Sequence, residues 1–236
     1  MRRALRGIGV PTVATAVMLA FMTPAAGEAS KISAFCASAT CGLNFTGEIA
    51  PGDAAEIGRA ILRSPKPVEI LVVDSSGGDP FEAIQISDIL NKYFVMFLVG
   101  ESAGERGCAS ACALIYVTAD QRAGTNVFLH RPTFPAAMFG TMSAPQAEAA
   151  YNSAVERLKA QLRQRKVPES MIERIMSIPS SGVEKLGSDY PNNSPWMDEW
   201  LASKCGSVAA GQSYSCFIRT VEAAQKQAQR DAQKKQ

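Results

Sequence analysis

The sequence predicts an α/β fold built around a mainly parallel sheet. Between residues 43 and 130, apolar and β-branched runs alternate with segments that have the periodicity of amphipathic helices. Two of these runs, Glu69–Asp74 and Tyr93–Val99, are almost continuously apolar, which is typical of parallel strands covered by helices on both faces. Apolar residues make up 47% of the 236 residues and charged residues 19%, a composition that indicates a globular protein.

The first predicted elements are a strand, a helix and a buried strand. Leu43–Ile49 is a short strand candidate that ends before a Pro-Gly turn. Asp53 has the character of a helix N-cap, with Glu56 in the position of its capping-box partner. A segment with two prolines ends this helix, and the buried strand Glu69–Asp74 follows.

A glycine-containing turn and a second helix come next. The turn is residues 75–79, in which Asp79 has the character of an N-cap and is followed by a proline at the first helical position. The apolar stripe of this helix leads to the strand Tyr93–Val99. The loop Gly100–Gly107 then precedes a run of small apolar residues that predicts a buried helix, and Asn126–His130 is a further short strand.

The remaining predicted elements are helical. Gln146–Gln164 has a clear amphipathic period, and Pro168 opens a further helix. Thr220–Gln236 is polar, charged and free of aromatic residues, which predicts a solvated helical tail that frays.

The N-terminus has the pattern of a secretory signal. Three arginines precede an uncharged, mostly apolar segment, Ile8–Met22, and small residues follow it. Removal of residues 1–26 takes away three arginines and no acids, so the formal net charge falls from +2 to −1 and nucleic-acid binding is not expected. We therefore divide the chain into a signal peptide or N-terminal anchor at 1–29, a main domain at 30–204, and a cysteine-stapled segment with a polar helical tail at 205–236.

This signal predicts an exported protein, in the periplasm or secreted. If the leader is not cleaved, the protein would instead be anchored in the membrane and face the periplasm, which is the one case in which a membrane is an expected partner.

Export makes disulfides the expected state of the six cysteines. They fall into three local pairs: Cys36 with Cys41, Cys108 with Cys112, and Cys205 with Cys216. Six cysteines allow many other connectivities. Two alternatives stay open, a zinc site built from four cysteines and a thiol–disulfide active centre at the middle pair, although the C-x2-C spacing typical of both is absent.

Three short features, in chain order, carry the candidate chemistry. Ser76-Gly77-Gly78 follows a strand, and a glycine pair lets backbone N–H groups approach a ligand as closely as an oxyanion hole requires. Ser110 lies among small residues at a predicted helix start, and His130 ends a strand, so the two side chains are candidates for a nucleophile and its base. The chain has one histidine, which excludes a metal cage of several histidines, and we expect neither a metal nor another cofactor.

These features are Ser-Ser-Gly-Gly at residues 75–78, Ala-Ser-Ala at 109–111 and Leu-His-Arg-Pro at 129–132. In the same order, they resemble the Ser-Pro-Gly-Gly, Ala-Ser-Met and Ile-His-Gln-Pro motifs of the Clp protease proteolytic subunit, in the Clp/crotonase superfamily. Leu43–Pro132, which is 90 of the 236 residues, carries this resemblance, and the exported Clp-like proteins are the branch that it resembles most.

The resemblance implies a fold, an activity and partners. The fold would be the Clp/crotonase spiral of β-β-α units with a mainly parallel sheet, followed by C-terminal helices. Ser110 would be the nucleophile of a serine hydrolase, His130 its base, and the backbone N–H groups of Gly78 and Ala111 its oxyanion hole. The substrate would be a peptide or protein, and the chain would assemble into a homo-oligomer.

The third member of the catalytic set is where the sequence departs from the family. The family aspartate follows the long helix, whereas residues 179–183 contain no acid. Asp189 is the candidate in its place, and Glu184 also lies nearby. Three alternatives are open: a Ser-His dyad, an acid supplied from elsewhere, and a catalytically degenerate protein that uses the fold for binding or as a scaffold.

Overall fold

The computed structural model describes residues 28–100, 107–134, 136–179, 181–188, 190–206 and 212–234. The expected signal over residues 1–29 lies almost entirely outside these ranges, as do Asp189 and most of the loop Gly100–Gly107. Among the helices that fall inside the ranges, none combines the length and the apolar character that a membrane span needs.

The elements follow one another in an alternating order. The strands are Lys31–Cys36 (β1), Cys41–Thr46 (β2), Val68–Asp74 (β3), Met96–Val99 (β4), Cys108–Ala109 (β5), Arg122–Ala123 (β6), Val127–Leu129 (β7) and Glu184–Lys185 (β8). The helices are Asp53–Arg63 (α1), Pro80–Tyr93 (α2), Ala111–Thr118 (α3), Ala144–Gln164 (α4), Glu169–Ser177 (α5), Pro195–Cys205 (α6) and Gln212–Gln233 (α7), with a 3-10 turn at Ala136–Met138.

Two sheets meet near the middle of the chain. The larger sheet has the order β1-β2-β3-β4-β6, in which β2, β3, β4 and β6 are parallel and β1 is an antiparallel edge. The smaller sheet has the order β5-β7-β8, with β5 parallel to β7. A parallel bridge between Ser75 and Cys108 connects β3 to β5 and so joins the two sheets. The predicted α/β fold with a mainly parallel sheet is confirmed.

Helix α3 is buried along its whole length. All eight of its residues are shielded from solvent, and none of them is charged. The helix packs against α2 and lies beside β5 and β7. Small apolar side chains permit this close packing, so the core fixes the start of α3, directly after Ser110, in place.

A buried arginine fixes the other end of α3. The Arg122 guanidinium donates to the carbonyl oxygens of Ala119 at 2.7 Å, Pro191 at 2.6 Å and Asn193 at 2.9 Å. Burial lowers the pKa of Arg122, while nearby tyrosines and acids act in the opposite direction. The hydrogen bonds tie the C-terminus of α3 to the segment that precedes α6.

The expected capping box at the start of α1 is wrong. Gly52, rather than Asp53, is the N-cap, and glycine has no side chain with which to cap the helix. The carboxylate of Glu82, on α2, instead accepts from the N–H groups of Gly52 at 3.0 Å and Ala54 at 2.8 Å. A cap supplied from another helix satisfies the same orphan donors but leaves no local sequence signature. The expected cap of α2 is correct, since Asp79 accepts from two N–H groups of the first turn.

The expected solvated tail is also different in the structure. Helix α7 packs on α1 and α2 rather than fraying throughout. Gln225 is only 1% exposed, and Ala228 and Ala232 pack against the core. Its buried face consists of glutamine and alanine, so no apolar stripe marks it in the sequence.

The three disulfides are the local pairs that the cysteine spacing favours: Cys36–Cys41, Cys108–Cys112 and Cys205–Cys216. All six cysteines of the chain are thus paired, which removes the thiolates that the zinc alternative requires. Cys108 and Cys112 are each 0% exposed, so the middle pair is also out of reach of the partner thiols that a redox centre needs.

Candidate functional site

The glycine turn after β3 lies against the end of β2. Gly77 has φ of +110° and Gly78 has φ of +137°, values that side chains strongly disfavour. The Ile49 N–H donates to the Gly77 carbonyl at 2.6 Å, and the Asp79 N–H donates to the Ile49 carbonyl at 2.9 Å. Ile49 thus bonds to the two chain neighbours of Gly78, which is the pattern of a parallel bridge between Ile49 and Gly78. In such a bridge, the N–H of Gly78 itself points to the opposite side. The Gly78 N–H therefore faces away from Ile49 and, within the described residues, has no backbone acceptor.

Ser75 anchors the glycine turn through hydrogen bonds. Its hydroxyl donates to the Gly47 carbonyl at 2.6 Å and accepts from the Gly77 N–H at 3.1 Å. Its carbonyl accepts from the Ala109 N–H at 3.0 Å. One serine thus connects the glycine turn, the end of β2 and the strand that leads to Ser110.

Ser110 lies at a sharp bend between β5 and α3. Its φ of +58° and ψ of −123° are rare for a residue with a side chain. Its hydroxyl makes no hydrogen bond to the helix that it caps. The first N–H groups of a helix have no partner within that helix, and the Ala111 N–H, next in the chain after Ser110, has no backbone acceptor among the described residues.

Gly77 packs directly against this bend. A Cβ atom on Gly77 would lie 2.5 Å from the Ser110 Cβ and 2.8 Å from the Ala109 carbonyl oxygen. Real Cβ atoms do not come this close to other atoms, so only glycine allows the turn and the serine bend to touch. The contact places the glycine turn directly beside the start of α3, since the same Cβ position lies 3.0 Å from the Ala111 nitrogen.

His130 follows directly after β7. Its Nδ1 lies 2.8 Å from the carbonyl oxygen of Arg131. A carbonyl oxygen can only accept, which assigns the proton to Nδ1 and leaves the lone pair on Nε2. Nε2 is therefore the ring nitrogen available to accept a proton from a substrate or a hydroxyl.

The structure brings these groups to one cavity of about 670 Å³. Its walls are Ala29, Glu48, Ile49, Ala50, Pro51, Ser76, Gly77, Gly78, Asp79, Ser110, His130, Thr133 and Phe134. No hydrogen bond joins Ser110 to His130 within the part of the chain that the structure describes. Catalytic hydrogen bonds are often long in an empty site and tighten when substrate binds, so this arrangement is compatible with a Ser-His pair.

Within the described ranges, no carboxylate is hydrogen-bonded to His130. Asp189 lies outside them. Glu184 lies on β8, and its carboxylate accepts from the Arg174 guanidinium instead of from the imidazole. The chain after α5 does pass beside the histidine, since the Arg131 N–H donates to the Ile178 carbonyl at 3.0 Å. The group that holds the His130 ring is thus the Arg131 carbonyl, a backbone atom that no sequence motif marks.

A metal site has no support in the described ranges, because no group of three or more His, Cys, Asp or Glu side chains there is arranged to hold an ion. The two acids of the cavity wall are separate: Asp79 caps α2, and the side chain of Glu48 is exposed to solvent. Sequence reasoning missed both as lining residues, together with Thr133 and Phe134.

No protein-family model matches the chain, and no curated protein matches its sequence. One solved structure that the chain resembles is that of a protein described as an enoyl-CoA hydratase, from Streptomyces coelicolor A3(2). The two share 14% sequence identity, and the superposition, with a TM-score of 0.37, covers 87% of this chain and 82% of that chain.

Proposed function

We propose that the protein is an exported, Clp-like serine hydrolase that cleaves peptides with Ser110 and His130. One observation carries the proposal: Ser110 stands on a bend with positive φ, at the start of a buried helix, in the same cavity as the glycine turn and the chain's one histidine. A serine held in a strained turn between a strand and a helix is the arrangement of the nucleophile in one large class of serine hydrolases, the α/β-hydrolases. The order of the three Clp-like motifs also supports it.

The reaction would be acyl transfer in two steps. The Ser110 hydroxyl attacks the carbonyl carbon, His130 Nε2 takes its proton, and the oxyanion accepts from the N–H groups of Gly78 and Ala111. The C–N bond then breaks, and the imidazolium returns the proton to the leaving amine. In the second step a water molecule gives its proton to His130 and attacks the ester, and Ser110 leaves with the proton restored.

The Arg131 carbonyl takes over one task of the acid, for which the described residues supply no carboxylate bonded to His130. It fixes the tautomer and the orientation of the His130 ring, which is the first role of the aspartate in a serine triad. A neutral carbonyl stabilises the imidazolium less than a carboxylate does. We therefore expect a working dyad that is slower than a complete triad.

The disulfides support an oxidising compartment. An exported hydrolase has no cytosolic ATP-driven unfoldase available, so its substrates would be short, flexible or already unfolded peptides. The alternative function, a binding or scaffold protein on the same fold, is favoured by one observation, namely that no carboxylate in the described ranges bonds to His130.

The test is covalent labelling of purified protein, with its disulfides intact, by a fluorophosphonate probe. The serine oxygen displaces fluoride from phosphorus, so the expected product is one phosphonyl group per chain, located by peptide mapping on Ser110. An unlabelled folded sample would refute the hydrolase and favour the scaffold, and an adduct on a different serine would refute the assignment of Ser110 as the nucleophile.

The Gly77→Ala variant tests the contact behind the nucleophile. The new Cβ would overlap Ser110 and Ala109, so we expect the bend to shift and the labelling rate to fall about 10- to 100-fold. Gly52→Ala is the matched control, because Gly52 also has a positive φ, of +105°, but no atom lies within 4 Å of the position that its Cβ would occupy. Equal labelling rates in the two variants would show that the Gly77 contact does not position Ser110.

A further inference from the structure

We propose that the Cys108–Cys112 disulfide is a positioning element for the nucleophile. It would hold Ser110 in the backbone conformation that places this residue in the cavity wall, directly before the first residue of α3. The bond closes a ring over residues 108–112 with Ser110 at the centre. This inference rests on the proposed function of Ser110, and the experiment below separates the failure of one from the failure of the other.

The strand side of this ring is anchored by backbone hydrogen bonds. The Ala109 N–H donates to the Ser75 carbonyl at 3.0 Å, and the Ser110 N–H donates to the Phe128 carbonyl at 3.1 Å. These bonds attach the chain to β7 and to the end of β3 as far as Ser110. Cys108 therefore gives the disulfide a fixed point on the strand.

On the helix side, burial holds α3 as a whole, but fewer hydrogen bonds restrain the bend itself. The positive φ of Ser110 is unfavourable for a residue with a side chain, so it persists only where its surroundings enforce it. The Ser110 side chain makes no hydrogen bond to α3, and the backbone bond that closes the bend runs from the Ala113 N–H to the Ser110 carbonyl, at 3.0 Å. The disulfide adds a covalent link from the first turn of α3, at Cys112, back to the strand.

The burial of the pair indicates a permanent restraint. Cys108 and Cys112 are each 0% exposed, so a reductant does not reach the sulfurs while the protein is folded. The Cys205–Cys216 pair is different, since both residues are only partly buried and the bond links α6 to α7, away from the cavity. Its removal is a matched control for the loss of a disulfide in general.

The experiment compares wild type with the Cys108→Ala/Cys112→Ala and Cys205→Ala/Cys216→Ala variants. For each, the rate constant of phosphonylation at saturating probe and the half-saturating probe concentration are measured. For Cys108→Ala/Cys112→Ala, we expect the rate constant to fall about 100-fold and the half-saturating probe concentration to change by less than about twofold. We expect Cys205→Ala/Cys216→Ala to react as wild type does. A merely destabilised variant would instead react at the wild-type rate over a smaller fraction of the sample.

The inference is overturned if the first variant reacts within about twofold of the wild-type rate. It is also overturned if the control pair loses as much. Should the alanine pair fail to fold, Cys108→Val/Cys112→Val restores side-chain volume without the bond, and the same comparison applies.

A wild type that does not react at all refutes the proposed hydrolase, and amide hydrogen exchange at Ala111 then decides the inference. Exchange about tenfold faster or more in the Cys108→Ala/Cys112→Ala variant than in the control pair would support a restraint on the bend. Equal exchange would overturn it.

Discussion

The Ser110→Ala variant is expected to lose all covalent reaction with a fluorophosphonate and to hydrolyse peptides about 10⁴-fold more slowly or worse. The substitution removes the one oxygen that forms the covalent bond and leaves the rest of the bend in place. Alanine keeps the Cβ atom and meets a similar cost at positive φ, so the fold should be retained. Intact-mass spectrometry measures the adduct, and release of the leaving group measures hydrolysis.

Ser76→Ala is the control for this variant. Ser76 is exposed and lines the same cavity, but it lies on the glycine turn rather than at the start of a helix. We expect it to label at close to the wild-type rate. Persistent labelling of Ser110→Ala, or its loss in Ser76→Ala alone, would assign the nucleophile to a different residue.

The His130→Ala variant has the second-largest expected effect, a loss of about 10²- to 10⁴-fold in the labelling rate constant. Without the imidazole, the proposed dyad loses its base, and the hydroxyl is a poor nucleophile on its own. The probe concentration that gives half-saturation should change little, because the imidazole accepts the serine proton and does not bind the probe. Single-exponential labelling time courses at several probe concentrations give both quantities.

Arg131→Ala is the matched comparison for His130→Ala. It removes an exposed side chain but keeps the carbonyl that accepts from His130 Nδ1. Labelling should therefore stay within about twofold of wild type. A wild-type rate in His130→Ala would remove the histidine from the mechanism, and a large loss in Arg131→Ala would show that the guanidinium, rather than the backbone, matters.

The central part of the fold could be predicted because its elements are long and strongly patterned. β3 is apolar without interruption from Ile70 to Val73, and the second half of α4 has an amphipathic period that buries Ala154, Leu158 and Leu162. β1 could not be predicted in this way because it is an exposed edge strand, with no buried residue to give it a pattern. The first strand expected from the sequence begins at Leu43, whereas β2 begins at Cys41 and ends at Thr46.

The candidate site could be predicted only as an order of motifs. The glycine turn and Ser110 come from separate segments of the chain, and the parallel bridge between Ser75 and Cys108 brings these segments into contact. Strand β5 has two residues, too short for any periodic signal. The glycine pair indicates a close backbone contact, but the sequence does not reveal that Ser110 is the residue contacted.

Backbone groups explain most of what the sequence could not reveal at the site. The Arg131 carbonyl holds the imidazole, and a carbonyl is present in every residue, so it leaves no trace in the residue types. The Glu82 cap of α1 is similar, because its partners lie about one helix and one strand earlier in the chain. The Glu82 contacts span 28 and 30 residues, beyond the reach of a local pattern, and the His130 contact is local but made by a backbone atom.

The most direct test of the central claim is a crystal structure of the phosphonylated protein. We expect phosphorus bonded to the Ser110 oxygen, with the phosphonyl oxygen about 2.7–3.1 Å from the N–H nitrogens of both Gly78 and Ala111. His130 Nε2 should lie within about 3.2 Å of the Ser110 oxygen. A phosphonyl oxygen that points into solvent, or one bound by other donors, would contradict the assignment of this cleft as an acyl-transfer site.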